Sequence, residues 1–401
     1  MKRFIIVSAA VLALCGAAFA QNKVDFDKEF QKYEFTTVKA NPVTPVKNQF
    51  RSGTCWCFSG IGLVESEVIR INGIKDEKDY PDFSEMFVVS KSYTDRARKY
   101  IMLNGNLTFA AGSECEDVLH IIKDYGLVPQ SEMPGLNYGT DKPVHGELDA
   151  LTKSYVQTVN ANPNKTLSTA WAKGFQGIVD AYLGACPQTF TVNGKSYTPA
   201  TYRDALKFNP DDYVSLTSFT HHPFYTWFSV EIADNWRYDQ SYNVPIDELM
   251  QVIDNAVNNG YTVAWGADVS TPGFTRTGFA LLPDVDNAST AGSDQERWVG
   301  KAEENTSVKD TIIVEKVPTQ ESRQAEFENR TLTDDHGMLI YGIAKDQFGR
   351  KYYIVKNSWG VTGKFDGIWY ASENYVKGET INILLAKSAL PASLKKRLGI
   401  K

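Results

Sequence analysis

The chain has 401 residues, of which 42% are hydrophobic and 12% aromatic, a composition typical of a globular protein with one large core or two sub-domains. Its formal net charge is −6, so the overall charge gives no reason to expect a nucleic-acid partner. Five cysteines are too few for a small exported scaffold held together by disulfides.

The first twenty residues predict a secretory signal peptide. A short basic start precedes an apolar run, and small residues follow at positions 18–20 (AFA). We expect cleavage after Ala20 and an exported protein. A lipoprotein anchored through Cys15 is a minor alternative, because Leu14 is bulky where small residues are usual. No later segment is apolar over the roughly twenty residues that a membrane-spanning helix needs, so we expect a soluble mature protein.

Helical patterns dominate the first third of the chain. After an N-terminal arm (residues 21–45), a helix is predicted from Cys55 to just before Gly73. Its apolar residues at helical spacing are Ile61, Val64, Val68 and Ile71. Similar patterns occur in DFSEMFVVSKSYTDRARKYIM and ECEDVLHIIKDYGLVP. The middle third is aromatic, and its hydrophobic runs are broken by Asn, Pro and Gly, so we expect it to be rich in loops.

The last third indicates a sheet. VPIDELMQVIDNAVNNG predicts an amphipathic helix that ends at Asn259, and the strand YTVAWGADVS follows. Residues 283–330 form a polar insertion. The runs HGMLIYGIA and KYYIVKNSWG, joined by KDQFGRK, predict a β-hairpin. TINILLA predicts a last strand, and residues 391–401 predict a small docked helix. Helices first and sheet later indicate an α+β fold.

Neither the histidines nor most of the cysteines indicate a metal site. His221 and His222 are adjacent, and adjacent residues on a strand point to opposite faces, so we expect poor joint ligands and no metal or cofactor. On a helix, Cys55 and Cys57 lie about 200° apart, which excludes a disulfide between them. We interpret the cysteines other than Cys55 as packing residues; these are Cys57, Cys115 and Cys186.

Cys55 has the surroundings that a nucleophile needs. The start of a helix favours a thiolate through its free N–H groups and macrodipole. Gly53 allows a close backbone approach just before it. A cysteine nucleophile also needs a base, a group that orients the base, and donors for the oxyanion.

The stretch KNQFRSGTCWCFSG resembles the papain superfamily of cysteine peptidases through the pattern QxxxGxCWxF, which reads here as Gln49, Gly53, Cys55, Trp56 and Phe58. The later segments DHGMLIYG and KNSWG resemble the histidine and asparagine motifs of that superfamily.

The resemblance implies a role for each of these residues. Cys55 would be the nucleophile, His336 the base and acid, and Asn357 the residue that orients the imidazole. Gln49 and the backbone N–H of Cys55 would form the oxyanion hole. Trp359 would shield the bond between Asn357 and His336 from water, and Cys55 and His336 would form a thiolate–imidazolium pair.

Two departures from the common papain pattern narrow the choice of branch within the superfamily. Ser52 stands where many secreted papain-like enzymes have a disulfide-forming cysteine. His336 follows Cys55 by 281 residues, against roughly 130–150 in the papain type. A long chain of this kind resembles the branch of bleomycin hydrolase and aminopeptidase C, and segments such as KDYGLVPQSEMP and HHPFY share that likeness.

The branch implies one papain-like domain over residues 21–401, with the active-site cleft between two halves. We expect a helical half over about 45–135, an insertion over about 136–243, and a β-barrel-like half over about 244–390.

The branch also implies an aminopeptidase that acts on peptides, with a possible homo-hexamer. The signal sequence predicts the periplasm or exterior of a bacterium, whereas typical members are cytosolic. The C-terminal arm that meets the substrate amine in the branch is expected to be short here, so an endopeptidase or broad-acting peptidase with an open cleft is the alternative. A non-catalytic peptide-binding module is less consistent with an intact nucleophile and base. An acyltransferase of the transglutaminase kind would require aspartate in place of Asn357.

Overall fold

The computed structural model describes residues 26–284 and 313–400. The predicted signal peptide, Cys15, Lys401 and residues 285–312 of the predicted polar insertion lie outside the described residues. No helix in the described ranges is long and apolar enough to cross a membrane.

The helices occur in both the first and the last third of the chain, and several lie between them. In chain order they are α1 (Phe26–Phe30), α2 (Cys55–Asn72), α3 (Glu85–Met102), α4 (Glu116–Tyr125), α5 (Gly146–Asn160), α6 (Trp171–Leu183), α7 (Pro199–Ala205), α8 (Ile246–Asn258), α9 (Gln320–Glu328), α10 (Glu373–Glu379) and α11 (Ala392–Arg397).

The strands form one large mixed sheet and a separate small hairpin of β2 and β3. They are β1 (Phe35–Ala40), β2 (Phe190–Val192), β3 (Lys195–Tyr197), β4 (Tyr213–Thr217), β5 (Trp227–Phe228), β6 (Ser241–Asn243), β7 (Val263–Ala267), β8 (Phe279–Ala280), β9 (His336–Asp346), β10 (Lys351–Lys356), β11 (Ile368–Ser372) and β12 (Thr380–Ala386).

The large sheet has the order β5-β6-β4-β12-β7-β9-β10-β11-β8, and β1 pairs with β9. Within the described ranges its two end strands do not pair, so the sheet stays open instead of closing into a barrel. Strands β4 to β6 lie inside the stretch 136–243 predicted as an insertion, yet they extend this sheet because β4 pairs with β12. The predicted boundaries between the halves stay a prediction.

The helices α2, α3 and α4 confirm the patterns in the first third of the chain. In α2, Val64 and Val68 are fully buried, as their helical spacing predicts. The helix ends at Gly73, whose φ of 63° lies in the left-handed region that favours glycine. Helix α2 packs on β9, and this contact brings its first residue, Cys55, to the strand that begins with His336.

The middle third contains more helix than the sequence predicted. Helices α5 and α6 span Gly146–Asn160 and Trp171–Leu183, where broken hydrophobic runs indicated loops. Each helix buries only a narrow stripe with a spacing of four residues, which is Phe175, Val179 and Leu183 in α6. Gly174 and Gly177 also lower the helix propensity of α6, so packing of this stripe overrides the weak local preference.

The predicted elements of the last third are confirmed. Helix α8, strand β7 and strand β12 lie within the predicted segments, and β9 and β10 form the predicted antiparallel hairpin. The C-terminal helix α11 docks on the core through Leu394, which is fully buried. Its Arg397 guanidinium lies 4.1 Å from the centre of the Tyr225 ring.

Candidate active site

Cys55 is the first residue of α2 and is only partly buried. No acidic residue lies in the first turn of this helix, so no carboxylate of that turn opposes the positive end of the helix dipole. Burial raises the pKa of the thiol, and the backbone N–H groups of Gly337 and Trp56 partly oppose this by donating to the sulfur. These donors favour the anionic sulfur that a nucleophile requires.

His336 and Asn357 lie together at the ends of two paired strands. The Nε2 atom of His336 is 2.8 Å from the Oδ1 atom of Asn357. The same Oδ1 accepts a hydrogen bond of 2.7 Å from the backbone N–H of Ser358. A backbone N–H can only donate, so the amide oxygen must face it, and His336 must carry its proton on Nε2. The Nδ1 atom of His336 is therefore the nitrogen that can accept a proton.

The Nδ2 atom of Asn357 is buried and has no hydrogen-bond partner among the residues that the structure describes. Leaving a buried donor unpaired costs about 1–3 kcal/mol. The Asn357 side chain therefore keeps the contact of its oxygen with His336 at the cost of leaving its Nδ2 donor unpaired within the described part of the chain.

Gly337 sets the approach of His336 to the nucleophile. A Cβ atom at this position would lie 3.2 Å from Cα of Trp56 and 3.4 Å from the carbonyl carbon of Cys55. The strand that carries His336 therefore contacts the backbone of the helix start directly. Any larger residue at position 337 would push these two elements apart.

Trp359 covers His336. The ring centres are 4.9 Å apart with an interplanar angle of 32°. Phe274 and Trp369 meet the Trp359 ring edge-to-face at 5.7 Å and 5.4 Å. This aromatic cover limits the access of water to the bond between His336 and Asn357.

Gln49 is held at both ends of its amide. Its Nε2 donates to the carbonyl of Ser52 at 2.9 Å, and its Oε1 accepts from the hydroxyl of Ser358 at 2.5 Å. The backbone N–H of Gln49 also donates to the carbonyl of Ser358 at 2.8 Å. One of the two hydrogens on Nε2 remains available for a bound ligand. Ser52 and Ser358 are therefore positioning residues that the sequence motifs did not indicate.

Buried charges hold the segments that carry Gln49 and Asn357. The Lys47 ammonium is 3.1 Å from Glu65 and 2.6 Å from Glu85, and both carboxylates are buried. Lys356, next to Asn357, donates to the hydroxyl of Thr44 at 2.8 Å. Although burial lowers the pKa of Lys47, the carboxylates of Glu85 and Glu65 raise it well above its usual value, so this lysine stays charged.

Trp56 and Gly53 position the opposite wall of the site. The Nε1 atom of Trp56, which is 2% exposed, donates to the carbonyl of Ala111 at 3.1 Å. A Cβ atom at Gly53 would lie only 2.9 Å from Cβ of Ala111, so only glycine permits this approach. The segment that contains Ala111 and Gly112 therefore lies against the loop that precedes the nucleophile.

Two carboxyl groups that the sequence did not indicate act on Cys55, and a third, Glu114, acts on one of them. The negative charges of Asp334 and Asp234 raise the pKa of the Cys55 thiol, so both act within electrostatic range of the sulfur. The carboxylate of Asp234 packs directly on Gly112. Glu114 lies beside Asp334 and accepts a hydrogen bond of 2.5 Å from Asn382. Asp334 could have been found from the sequence, because it lies two residues before His336. Asp234 and Glu114 could not, because they lie far from Cys55 and His336 along the chain.

Burial disfavours the charged forms of Cys55 and His336 when either group ionises alone. It raises the pKa of Cys55 to about 12 and lowers the pKa of His336 to about 4. Neither a lone thiolate nor a lone imidazolium is therefore favoured in the free protein. The predicted thiolate–imidazolium pair requires that both charges form together, by transfer of the thiol proton to His336. Burial also raises the pKa of Asp334 to about 7, and the charge of Asp234 adds to this effect.

The expectation for His221 and His222 was wrong in its geometry. They lie in bends and not on a strand, and both rings turn toward Glu231. The other three cysteines that the structure describes are free, like Cys55; they are Cys57, Cys115 and Cys186.

Known proteins are similar to this chain over most of its length. The Peptidase C1-like family model matches residues 6–400. Aminopeptidase C of Lactobacillus helveticus is 22% identical over 420 residues, which cover 94% of this chain and 85% of the relative. Cysteine proteinase 1, mitochondrial, of Saccharomyces cerevisiae (strain YJM789) is 21% identical over 415 residues, which cover 93% and 80%.

A solved structure is also similar. The crystal structure of PepW from Lactobacillus rhamnosis HN001 aligns with a TM-score of 0.66 at 18% identity, and the alignment covers 91% of this chain and 84% of that one. At this identity the likeness concerns the fold alone.

Proposed function

The chain belongs to the Peptidase C1-like family, and on this premise we propose that it is an exported aminopeptidase that removes N-terminal residues from peptides. It is a cysteine peptidase. The observation that carries the assignment of its centre is the fixed amide of Asn357, which directs Nε2 of His336 and leaves Nδ1 free for a proton.

Cys55 attacks the carbonyl of the first peptide bond. Its proton passes to Nδ1 of His336, and a bond forms between Sγ and the carbonyl carbon. His336 then gives this proton to the leaving amine as the C–N bond breaks. Water next attacks the thioester with His336 as the base, which releases the amino acid and restores the thiol.

Gln49 and the N–H of Cys55 stabilise the oxyanion. The free hydrogen on Nε2 of Gln49 remains for the substrate because Ser52 and Ser358 fix the rest of its amide. A single donor of this kind commonly lowers the activation free energy by about 2.7–4 kcal/mol.

Asp234 and Asp334 are proposed to recognise the free amine. In an aminopeptidase the α-ammonium lies one residue from the scissile carbonyl, and the charges of both carboxylates act on the Cys55 thiol. Asp234 rests on Gly112, in the segment that lies against the loop before the nucleophile. The two carboxylates would attract an ammonium and disfavour the uncharged end of a blocked peptide.

The test compares fluorogenic peptides with free and N-acetylated ends. We expect the free peptides to be strongly preferred and Asp234→Asn to reduce that preference by about tenfold or more, mainly through KM. The control is Asp335→Asn, because Asp335 is an exposed carboxylate beside Asp334 that accepts from the backbone N–H of Val269. Equal turnover of both peptides by the parent protein would favour the open-cleft endopeptidase.

Export is proposed from the sequence of residues 1–20 alone. A mature N-terminus at Gln21 in the periplasmic or extracellular fraction of the native host would support it. A full-length chain in the cytosol would contradict it. The homo-oligomer stays a prediction, which the mass of the purified chain in solution would test.

A further inference from the structure

A second cluster of titratable side chains lies outside the active site, on the segment around β5. Nε2 of His221 is 2.9 Å from Oε2 of Glu231, and Nε2 of His222 is 2.8 Å from Oε1 of the same carboxylate. One ligand atom from each of the three side chains lies within 4.8 Å of the others. Two imidazoles and one carboxylate are a donor set that Zn²⁺ binds in proteins.

The backbone holds both imidazoles on one side. Asn243 is fully buried, and its Nδ2 donates to the carbonyls of Phe219 and His222 at 2.8 Å and 3.0 Å. Its Oδ1 accepts from the N–H of Phe219 at 3.0 Å. These bonds fix the bend, so two adjacent residues can present their rings to one carboxylate.

Aromatic neighbours fix the planes of the two rings. His222 stacks on Phe228 with ring centres 4.2 Å apart and an interplanar angle of 24°. His221 lies nearly parallel to Phe327, at 5.7 Å and 20°. Ligands that are already held in place lose little conformational freedom when a metal binds.

Gln324 lies beside the ring nitrogen of His221 that does not contact Glu231. It is 7% exposed, and its amide lies beside Nδ1 of His221, with Nε2 at 3.1 Å and Oε1 at 3.4 Å. When Nε2 of a histidine binds a metal, its Nδ1 carries the proton and donates it to an acceptor. Oε1 of Gln324 already accepts from the N–H of Thr220 at 2.6 Å, and its second lone pair can accept that bond, while Nε2 of Gln324 donates to Glu328 at 2.8 Å. This buried amide is an observation independent of the three ligands.

We propose that His221, His222 and Glu231 bind one Zn²⁺ ion per chain. The ligands are Nε2 of each neutral imidazole and a carboxylate oxygen, with water as the fourth ligand. Bonds of about 2.0–2.2 Å are needed, so the side chains must close around the ion. The Glu231 side chain is 55% exposed and free to make this small movement.

The ion would act as a brace. His221 packs on Phe327 of α9, and the chain leads from this helix to His336. Zinc would therefore fix the segment 219–231 against the helix that precedes the active-site histidine. A ligand that binds only the folded chain also raises its melting temperature.

The test is calorimetric titration of ZnCl₂ into the Cys55→Ser protein, which lacks the active-site thiol that would itself bind zinc. We expect one ion per chain. His222→Ala and Glu231→Gln, each in this background, should weaken binding by more than the roughly 10–100-fold that loss of an outer partner costs. His120→Ala is the matched control, because His120 forms a single imidazole–carboxylate pair with Asp239 at 2.9 Å.

Co²⁺ provides a second readout, because its visible absorption bands report nitrogen and oxygen ligands directly. These bands should form in the Cys55→Ser protein and in the His120→Ala control, and should be lost in both ligand variants. Glu231→Gln keeps the test valid if His222→Ala does not fold, because the Glu231 side chain is largely exposed. No zinc binding by the Cys55→Ser protein, or unchanged binding in both variants, would overturn the site.

Discussion

The two histidine sites of this protein differ in the partner that holds the imidazole. His336 is 5% exposed, and its Nε2 meets the neutral amide of Asn357. His222 lies on the surface, and its Nε2 meets the carboxylate of Glu231. A neutral partner orients a ring without fixing its charge, so the ring can take and return a proton. A carboxylate stabilises a positive charge, either a proton or a metal ion, and so suits binding more than proton transfer.

The largest effect that this comparison predicts is for His336→Ala. Without the base, Cys55 has no acceptor for its proton, and we expect kcat for peptide hydrolysis to fall on the order of 10⁶-fold. His222→Ala should leave hydrolysis close to that of the parent protein. Steady-state kinetics of the two variants measures the difference. Comparable losses in both would mean that the two sites are not separate.

Gln49→Ala comes next. Removing one oxyanion donor should reduce kcat by about 10²–10³-fold with little change in KM, because the donor acts on the transition state. Ser358→Ala, which frees Oε1 of Gln49, should give a smaller loss in the same direction. An increase in KM alone would assign Gln49 to substrate binding.

Gly337→Ala tests the contact between strand β9 and the start of α2. The added Cβ would lie 3.2 Å from Cα of Trp56, so the helix start must shift. The shift needed is a few tenths of an ångström, and since a misplacement of about 1 Å can cost about 10²-fold in rate, we expect a smaller loss than that. Unchanged circular dichroism together with reduced kcat would be the expected result, and full activity would contradict the tight approach.

Asn357→Asp would make the first histidine site similar to the second. Burial lowers the pKa of His336 to about 4, and a carboxylate at hydrogen-bond distance should raise it by roughly 1–3 units. A raised pKa keeps the imidazole protonated up to a higher pH. As the pH is lowered, activity should therefore begin to fall at a higher pH than in the parent protein. The pH profile of kcat/KM measures this shift of the acidic limb, and an unmoved limb would show that His336 does not set it.

The smallest effect is expected for Glu231→Gln without metal. Its pairs with His221 and His222 are exposed, and such pairs contribute about 0–1 kcal/mol to the free energy of unfolding. Thermal unfolding with excess chelator should therefore differ little from the parent protein. A large loss would show that the carboxylate is structural without any ion.

The features that depend on short stretches of sequence could be predicted. The α+β papain-like fold and the resemblance to the aminopeptidase C branch are confirmed. Cys55, His336 and Asn357 each lie in a short motif, and the helix and hairpin that carry them were predictable from periodicity. The roles of these residues in catalysis stay a prediction.

The rest depends on contacts between distant segments. Asp234 acts on Cys55 and Glu114 acts on Asp334 from segments that are distant along the chain, and no local pattern shows this. His221 and His222 were assigned to opposite faces on the assumption of a strand, whereas the bend before Pro223 turns both rings to one side. Helix α6 was missed because its glycines weaken the local preference that packing overrides.

Labelling of the native protein with an epoxide-type thiol inhibitor, followed by peptide mass mapping, tests the central claim most directly. Cys57 and Cys115 are buried, whereas Cys55 and Cys186 are both partly accessible, and Cys55 lies next to the strand that carries His336. One adduct per chain, located on Cys55 and lost in His336→Ala, is the predicted result. Labelling of another cysteine, or equal labelling of Cys55 without His336, would contradict a nucleophile activated by that histidine.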